Sequence, residues 1–286
     1  MAKSNRLLRG RLLLSLMEYN QHGLYDHAME AAGIFETADD SLRRAEALLY
    51  KGNALWRSGR LAEAATVGEE AVRIAGTLGL ERFFAVTLQM AAVWVGAGAD
   101  AARGFKMSEE ALSILRALDD RGAVAHLLLN FAETKFAADD PQCALRFADE
   151  ALELSRDNPV RSVNIQNNAA AYLIAMGRLD EAYERVTSAI AIASSLEQPF
   201  LVTNAVGHIA AISVLQGAHE RAARLIGYVD GVYSQFKETR EPTEARGYER
   251  TMQILRAALD AERLQTLLAE GARLSEGDAV REALLA

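Results

Sequence analysis

Small residues recur along this chain with a period close to forty. Ala28, Ala64, Gly104, Ala144, Ala182 and Ala222 are separated by 36, 40, 40, 38 and 40 positions. Self-similarity of this kind marks stacked helical units, each of which buries its apolar face only against its neighbours. Twelve residues before each marker stands Leu16, Gly52, Ala92, Ala132, Ala170 or Ala210, and seven after it stands Phe35, Ala71, Ala111, Ala151, Ala189 or Val229. Seven residues are two helical turns, so the marker and the later residue share one face of a second helix. The earlier residue belongs to a first helix packed on that face, where small side chains permit a close approach. Gly23, Gly59, Gly177 and Gly217 each stand five residues before a marker. A tight turn is expected there, because a helix end favours a residue free to take positive φ. Ala99 and Asp139 replace that glycine in two units; Gly96 and Gly98 lie near the first, and Asp139-Asp140-Pro141 offers the second a turn of another kind.

The segment from Ala45 to Ile74 resembles a tetratricopeptide repeat. Leu48, Gly52, Asn53, Leu55, Gly59, Leu61, Ala64 and Ala71 fall where that family places its large and small residues, and Gly177, Leu179 and Asp180-Glu181-Ala182 repeat the second-helix opening. Two departures stand out. Gly68 occupies the place of the family's usual aromatic, and the period exceeds the family's thirty-four, which implies longer helices or longer connections. The resemblance covers roughly residues 8 to 235. It implies an all-α, right-handed α-solenoid of about six hairpins over residues 1–238, followed by a helical C-terminal capping region over residues 239–286.

That C-terminal region carries its own signals. Pro242 suits a first helical turn, with Glu241 and Glu244 near its positive end; Gly271 is read as a stop, and Ser275 with Asp278 as a capping box for a helix opening on Ala279. The run AARLIGYVD, then REPTE, a Tyr-Glu-Arg helix and LLAEGARLS is similar to the C-terminal end of large bacterial signalling regulators. In those proteins a DNA-binding or nucleotide-cyclase domain and a P-loop ATPase precede the repeats. No G-x-x-x-x-G-K-[ST] or G-x-G-x-x-G string occurs here, so the ATPase and DNA-binding activities do not carry over. The resemblance implies the sensing or partner-binding part alone.

Composition narrows the function further. Half of the 286 residues are hydrophobic, only four are proline, and no stretch alternates as a half-buried strand does. A formal charge of -8 argues against direct nucleic-acid binding or an anionic membrane surface. The basic, leucine-rich start lacks a cleavage site, no run is long enough to span a membrane, and the single cysteine, Cys143, reads as a packed core thiol; together these place the protein in a reducing cytoplasm. The five histidines show no i, i+4 pair, and His22 and His27 flank a turn, so no metal and no cofactor is expected. Asp39-Asp40, Asp119-Asp120 and Asp139-Asp140 fall at helix boundaries and read as caps. No nucleophile has a recognisable base and orienting group, so no catalytic residue is assigned and the chain reads as a non-enzyme.

In the family this chain resembles, first helices line a concave face. The positions this implies for a partner groove are Leu49, Asn53, Trp56, Arg57, Gln89, His126, Glu133, Asn164, Asn167 and Asn204. Their amides could donate to and accept from an extended peptide backbone. Asn130 and Asn168 match a position that the family uses structurally. Trp56 beside Arg57 suits a contact, Trp94 after Ala91-Ala92 suits the core, and Arg57, Arg60 and Arg73 form a basic cluster. The expected function is a protein or peptide binding module; self-association into a homo-oligomer and small-molecule inducer sensing are the alternatives.

Overall fold

The forty-residue period becomes six helical hairpins in the computed structural model, which describes residues 2–19, 24–98, 100–196, 198–236 and 239–285. The hairpins pair α1 (Ala2–Tyr19) with α2 (Leu24–Phe35), α3 (Ser41–Arg57) with α4 (Leu61–Ala75), and α5 (Glu81–Gly98) with α6 (Ala101–Ala117). They continue as α7 (Arg121–Ala137) with α8 (Pro141–Leu154), α9 (Pro159–Ala175) with α10 (Leu179–Ala193), and α11 (Pro199–Leu215) with α12 (His219–Phe236). Three helices follow: α13 (Pro242–Ala258), α14 (Ala261–Gly271) and α15 (Glu276–Leu284). All described elements are helical. The length beyond a minimal repeat lies in the helices, many of 17 or 18 residues, because the connections within hairpins stay short.

Each small marker falls on a second helix and is buried, as are its partners at fixed offsets, with one exception: Leu16 on α1 is exposed. Gly104 shows why the marker must be small. A Cβ there would lie 2.6 Å from the Ala92 carbonyl oxygen and 2.8 Å from the Gly96 Cα, so α5 and α6 meet backbone to backbone.

Gly59, Gly177 and Gly217 take φ of 77°, 75° and 84° at the expected turns. Asp139, standing in the glycine's place, does the same at 62°, and Asp119 at 52°; aspartate tolerates this region better than most side chains. The second aspartate of each pair caps a helix. Asp40, Asp120 and Asp140 accept from the backbone N–H of Arg43, Ala123 and Cys143 at 3.0–3.1 Å. Ser275 caps α15 in the same way, accepting from Asp278 N–H at 3.2 Å, so that helix opens at Glu276, directly after its cap and ahead of Ala279. Cys143 is only half-buried at the start of α8, which corrects its reading as a core thiol. The expectations placed on His22, Gly23 and Ala99 lie outside the described residues.

The chain divides into two compact units, residues 1–127 and 128–286, the boundary falling inside α7. In the first unit, Trp94 of α5 is buried against α3 and α4, among Leu48, Leu49, Leu55, Val67 and Ala91. In the second, Tyr172, Ile165, Leu173, Ile209, Leu225 and Ile226 are fully buried, α14 packs on α12, and α15 touches α11 and α12.

Candidate functional site

In the second unit the first helices present a surface that the chain's own α13 covers. Pro242 starts α13, and the helix runs against α11 and α9. Near its N-terminus the Thr243 hydroxyl donates to Glu133 Oε2 on α7. One turn later Arg246 donates to the Phe136 carbonyl at 3.0 Å and to the Asp139 carboxylate at 2.6 Å, with its guanidinium 4.8 Å from the Phe136 ring centre. The other oxygen of Glu133 accepts from Asn168 Nδ2 at 2.7 Å and from the Tyr172 hydroxyl at 2.6 Å. Asn168 and Tyr172 are four apart on α9 and so share one face. A single carboxylate therefore gathers donors from α9 and α13. Burial, reinforced by Glu133, holds the Tyr172 proton well above the ordinary phenol range.

A second anchor fixes the approach to α13. Arg240 pairs with Asp230 on α12 at 2.5 Å, and its guanidinium lies 4.6 Å and 3.8 Å from the ring centres of Tyr233 and Tyr248. Tyr248 also donates to Asp230 at 3.2 Å. Cation–π contact and a half-buried ion pair together hold the helix start to α12.

Beneath α13 the packing is incomplete. A cavity of about 330 Å³ lies between α9, α11 and α13, and a smaller space of about 30 Å³ lies beside it toward α12. His208 and Gly247 line both. His208 is 6 % exposed, and its Nε2 has no hydrogen-bond partner among the described residues. Burial pushes its pKa down to about 4, so the imidazole is neutral at neutral pH. Glu244, on the side of the smaller space, also has an unpartnered oxygen, Oε2, sealed from solvent. Burial first, then the charges of Glu133 and Glu241, push its pKa up to about 7 against a backbone hydrogen bond that lowers it.

These two groups act oppositely on stability. Folded Glu244 keeps its proton up to about pH 7, whereas the unfolded chain releases it near 4.5. Its contribution is full below pH 4.5 and is lost as the pH rises through 7. His208 has the depressed value, so its contribution is present above 6.5 and lost as the pH falls through about 4. Glu244→Gln is therefore expected to match wild type at pH 4 and to be more stable at pH 8, by up to about 3 kcal/mol. Urea unfolding at the two pH values measures this, and an equal offset at both would show that Glu244 is not held protonated.

Among the described residues no group of three or more His, Cys, Asp or Glu side chains could hold a metal ion, and no helix is long and apolar enough to cross a membrane.

Comparison with known proteins places this geometry. No protein-family model matches the chain. Proteins described as HTH-type transcriptional regulators from Mycobacterium tuberculosis and Mycobacterium bovis are 26% identical over 185 residues, which is 64% of this chain and 20% of theirs. The chain thus spans about a fifth of the length of the curated relatives it matches. Among solved structures, a Rap protein complexed with Competence and Sporulation Factor superposes with a TM-score of 0.62 at 17% identity, covering 90% of this chain and 77% of that one. TPR-like repeats of a Podosopora anserina kinesin light chain superpose at 0.56 and 17% identity, covering 68% and 96%. The chain has the tetratricopeptide-repeat fold.

On this tetratricopeptide scaffold the residues expected to line one groove are dispersed. Asn53 is half-buried on α3, Trp56 is 38 % exposed, and Arg57 is exposed at the end of the same helix. Leu49 and Gln89 are buried at 7 % and 6 % exposure, which corrects their reading as open lining positions. His126 is exposed on the N-terminal half of α7. Asn164 is exposed on α9, but Asn167 is 1 % exposed and donates to the Leu201 carbonyl at 3.1 Å, linking α9 to α11. Asn204 accepts from the Tyr233 hydroxyl at 2.9 Å. These two amides are used inside the fold. Glu133 is the one candidate placed at the centre of the α13 contacts. Arg60 pairs with Glu63 at 2.6 Å and also donates to Tyr25, whereas Arg57 and Arg73 are exposed.

Tyr172, His208, Thr243 and Arg246 escaped the sequence reading, in which Glu244 figures only as a charge at a helix start. Their helices were legible, but nothing in a repeat pattern indicates that a helix beyond the array returns to lie on α9 and α11. The one available signal was the concentration of polar residues on a first helix, Glu133 on α7 and Asn168 with Tyr172 on α9, where a buried face ordinarily carries apolar ones.

Proposed function

We propose that this chain is a non-catalytic recognition module of a bacterial transcriptional regulator, acting in the cytoplasm, and that it binds a polypeptide on the surface that α13 covers. The observation that carries this reading is the seating of α13. A tetratricopeptide surface built from α7, α9 and α11 already holds one amphipathic helix, through Glu133, the Phe136 carbonyl and Asp139. In this reading residues 1–238 form the repeat array, and the region from 239 to 286 supplies both an internal occupant, α13, and the helices that close over α12. The similarity to HTH-type regulators and the Rap protein solved with Competence and Sporulation Factor support recognition as the task.

A partner helix would compete with α13, and the competition can be measured. The double variant Thr243→Glu, Arg246→Glu sets carboxylates against Glu133 and Asp139 and is expected to unseat α13 by like-charge repulsion. A fluorescent peptide of residues 239 to 258 should then bind the variant at least about tenfold more tightly than wild type, because tethering keeps the wild-type surface occupied. Fluorescence anisotropy reads this directly. A variant that keeps its helical circular dichroism and binds no peptide would sink the polypeptide reading.

A further inference from the structure

The first turn of α13 sets three acids against the array and leaves no cation to offset them. Thr243 donates to Glu133 on α7, Glu241 stands at the helix cap, and Glu244 packs toward α11 and α12. Glu244 Oε2 is sealed from solvent and has no hydrogen-bond partner among the described residues. The two guanidiniums that flank this turn are engaged elsewhere, Arg240 by Asp230 of α12 at 2.5 Å and Arg246 by Asp139 at 2.6 Å. The remaining groups around it are neutral. Burial holds the protons on Tyr172 of α9 and Tyr248 of α13, Tyr233 of α12 donates its hydroxyl to Asn204, and His208 of α11 is uncharged above about pH 4. An ionised Glu244 would therefore sit beside Glu133 and Glu241 with neither solvent nor a free cation at Oε2, which is the costly way to bury a charge.

The helix that carries Glu244 is built to lift. Its start is tied by Arg240 to Asp230 and its end leads into α14, which packs on α12, while its middle rests on α9 and α11 over an unfilled space. Lifting it separates no other pair of helices. We propose that α13 is a pH-gated strap: protonated Glu244 holds it on α9 and α11, and loss of that proton unseats it and opens the surface it covers. That the opened surface then receives a polypeptide rests on the function proposed above; the gate itself does not. The direction follows from linkage. Seated, Glu244 keeps its proton to about pH 7, whereas in water it releases it near 4.5. Seating is thus full below pH 4.5, weakens as the pH rises and levels off above 7. Between pH 5 and pH 8, where His208 stays neutral, the seating equilibrium falls by about fiftyfold.

Amide hydrogen exchange of the full chain reads the strap directly, as protection factors for residues 246 to 256 against those of α10, which carries none of these groups. From pH 5 to pH 8 wild type is expected to lose about fiftyfold in α13 protection while α10 keeps its own. Glu244→Gln should retain at pH 8 the protection that wild type shows at pH 5. Thr243→Val removes one donor to Glu133 and no charge, so it should lower α13 protection by the same factor at every pH. That uniform loss distinguishes a weaker seat from a gate. Wild-type α13 protection that does not change with pH overturns the proposal, and so does a fall that Glu244→Gln leaves in place. Neither result touches the peptide binding of the Thr243→Glu, Arg246→Glu variant, and the gate stands in a chain that binds no peptide.

Discussion

Gly271→Ala is expected to separate α14 from α12 and to lower stability by about 3 kcal/mol. The two helices cross where both lack side chains. A Cβ on Gly271 would lie 2.7 Å from the Arg224 carbonyl carbon and 2.9 Å from its Cα; a Cβ on Gly227 of α12 would lie 2.9 Å from the corresponding atoms of Leu268. These neighbours are backbone, so no rotamer change relieves the overlap and the helices themselves must move apart. Separation exposes Leu264 and Leu267, now buried against α12, and strains the Arg263–Glu220 pair at 2.8 Å. The Arg224–Glu282 pair at 2.7 Å, which holds α15, is affected as well. Urea unfolding measures the loss, and amide exchange confined to residues 261 to 284 locates it. Gly33→Ala is the control: it adds a methyl to α2 with nothing within 4 Å and should be neutral or stabilising by up to about 1 kcal/mol. A Gly271→Ala protein within about 0.5 kcal/mol of wild type would mean that the helices do not cross this closely.

Removal of the Trp94 side chain carries a comparable effect in the first unit. The indole is 3 % exposed and is accommodated by two missing side chains. A Cβ on Gly52 of α3 would lie 2.7 Å from Trp94 Cε3, and one on Gly68 of α4 would lie 2.9 Å from the same atom and 3.0 Å from Ala91 Cβ. Trp94→Ala is expected to cost about 3–5 kcal/mol, because the rigid helices around the ring can collapse only partly into the void. The glycine at 68 makes the interpretation testable by a double-mutant cycle. Gly68→Phe alone should destabilise by about 2 kcal/mol or more through overlap with the indole, yet in the Trp94→Ala background it should recover stability, since the new ring enters the vacated space. Additive effects of the two substitutions would show that positions 68 and 94 do not share that volume.

This pair also explains a departure visible in the chain itself. The repeat pattern puts an aromatic where Gly68 stands, and its absence looks like a weakness in the second unit. The fold supplies the aromatic from the neighbouring hairpin. Gly271 is a similar case. Read along the chain it is a helix stop, and α14 does end there, but its backbone neighbours show that a close crossing with α12 requires the glycine. Both residues are legible as special from sequence. What they are special for depends on a helix distant in the chain.

The all-helical class, the six hairpins, the small-residue faces and the glycine turns at 59, 177 and 217 were determined by sequence alone. They rest on local periodicity and on contacts between adjacent units, and a repeat array has few others. Tertiary structure decided the site. It returned α13 onto α9 and α11, turned Glu133 from a groove residue into the acceptor for Asn168, Tyr172 and Thr243, and drew Asn167 and Asn204 into internal hydrogen bonds. It also left His208 buried without a partner above an unfilled space. The Glu133–Thr243 contact joins residues 110 positions apart, so no period of forty encodes it. Such contacts form because a terminal helix with one apolar face must bury that face somewhere, and only the assembled array offers the surface.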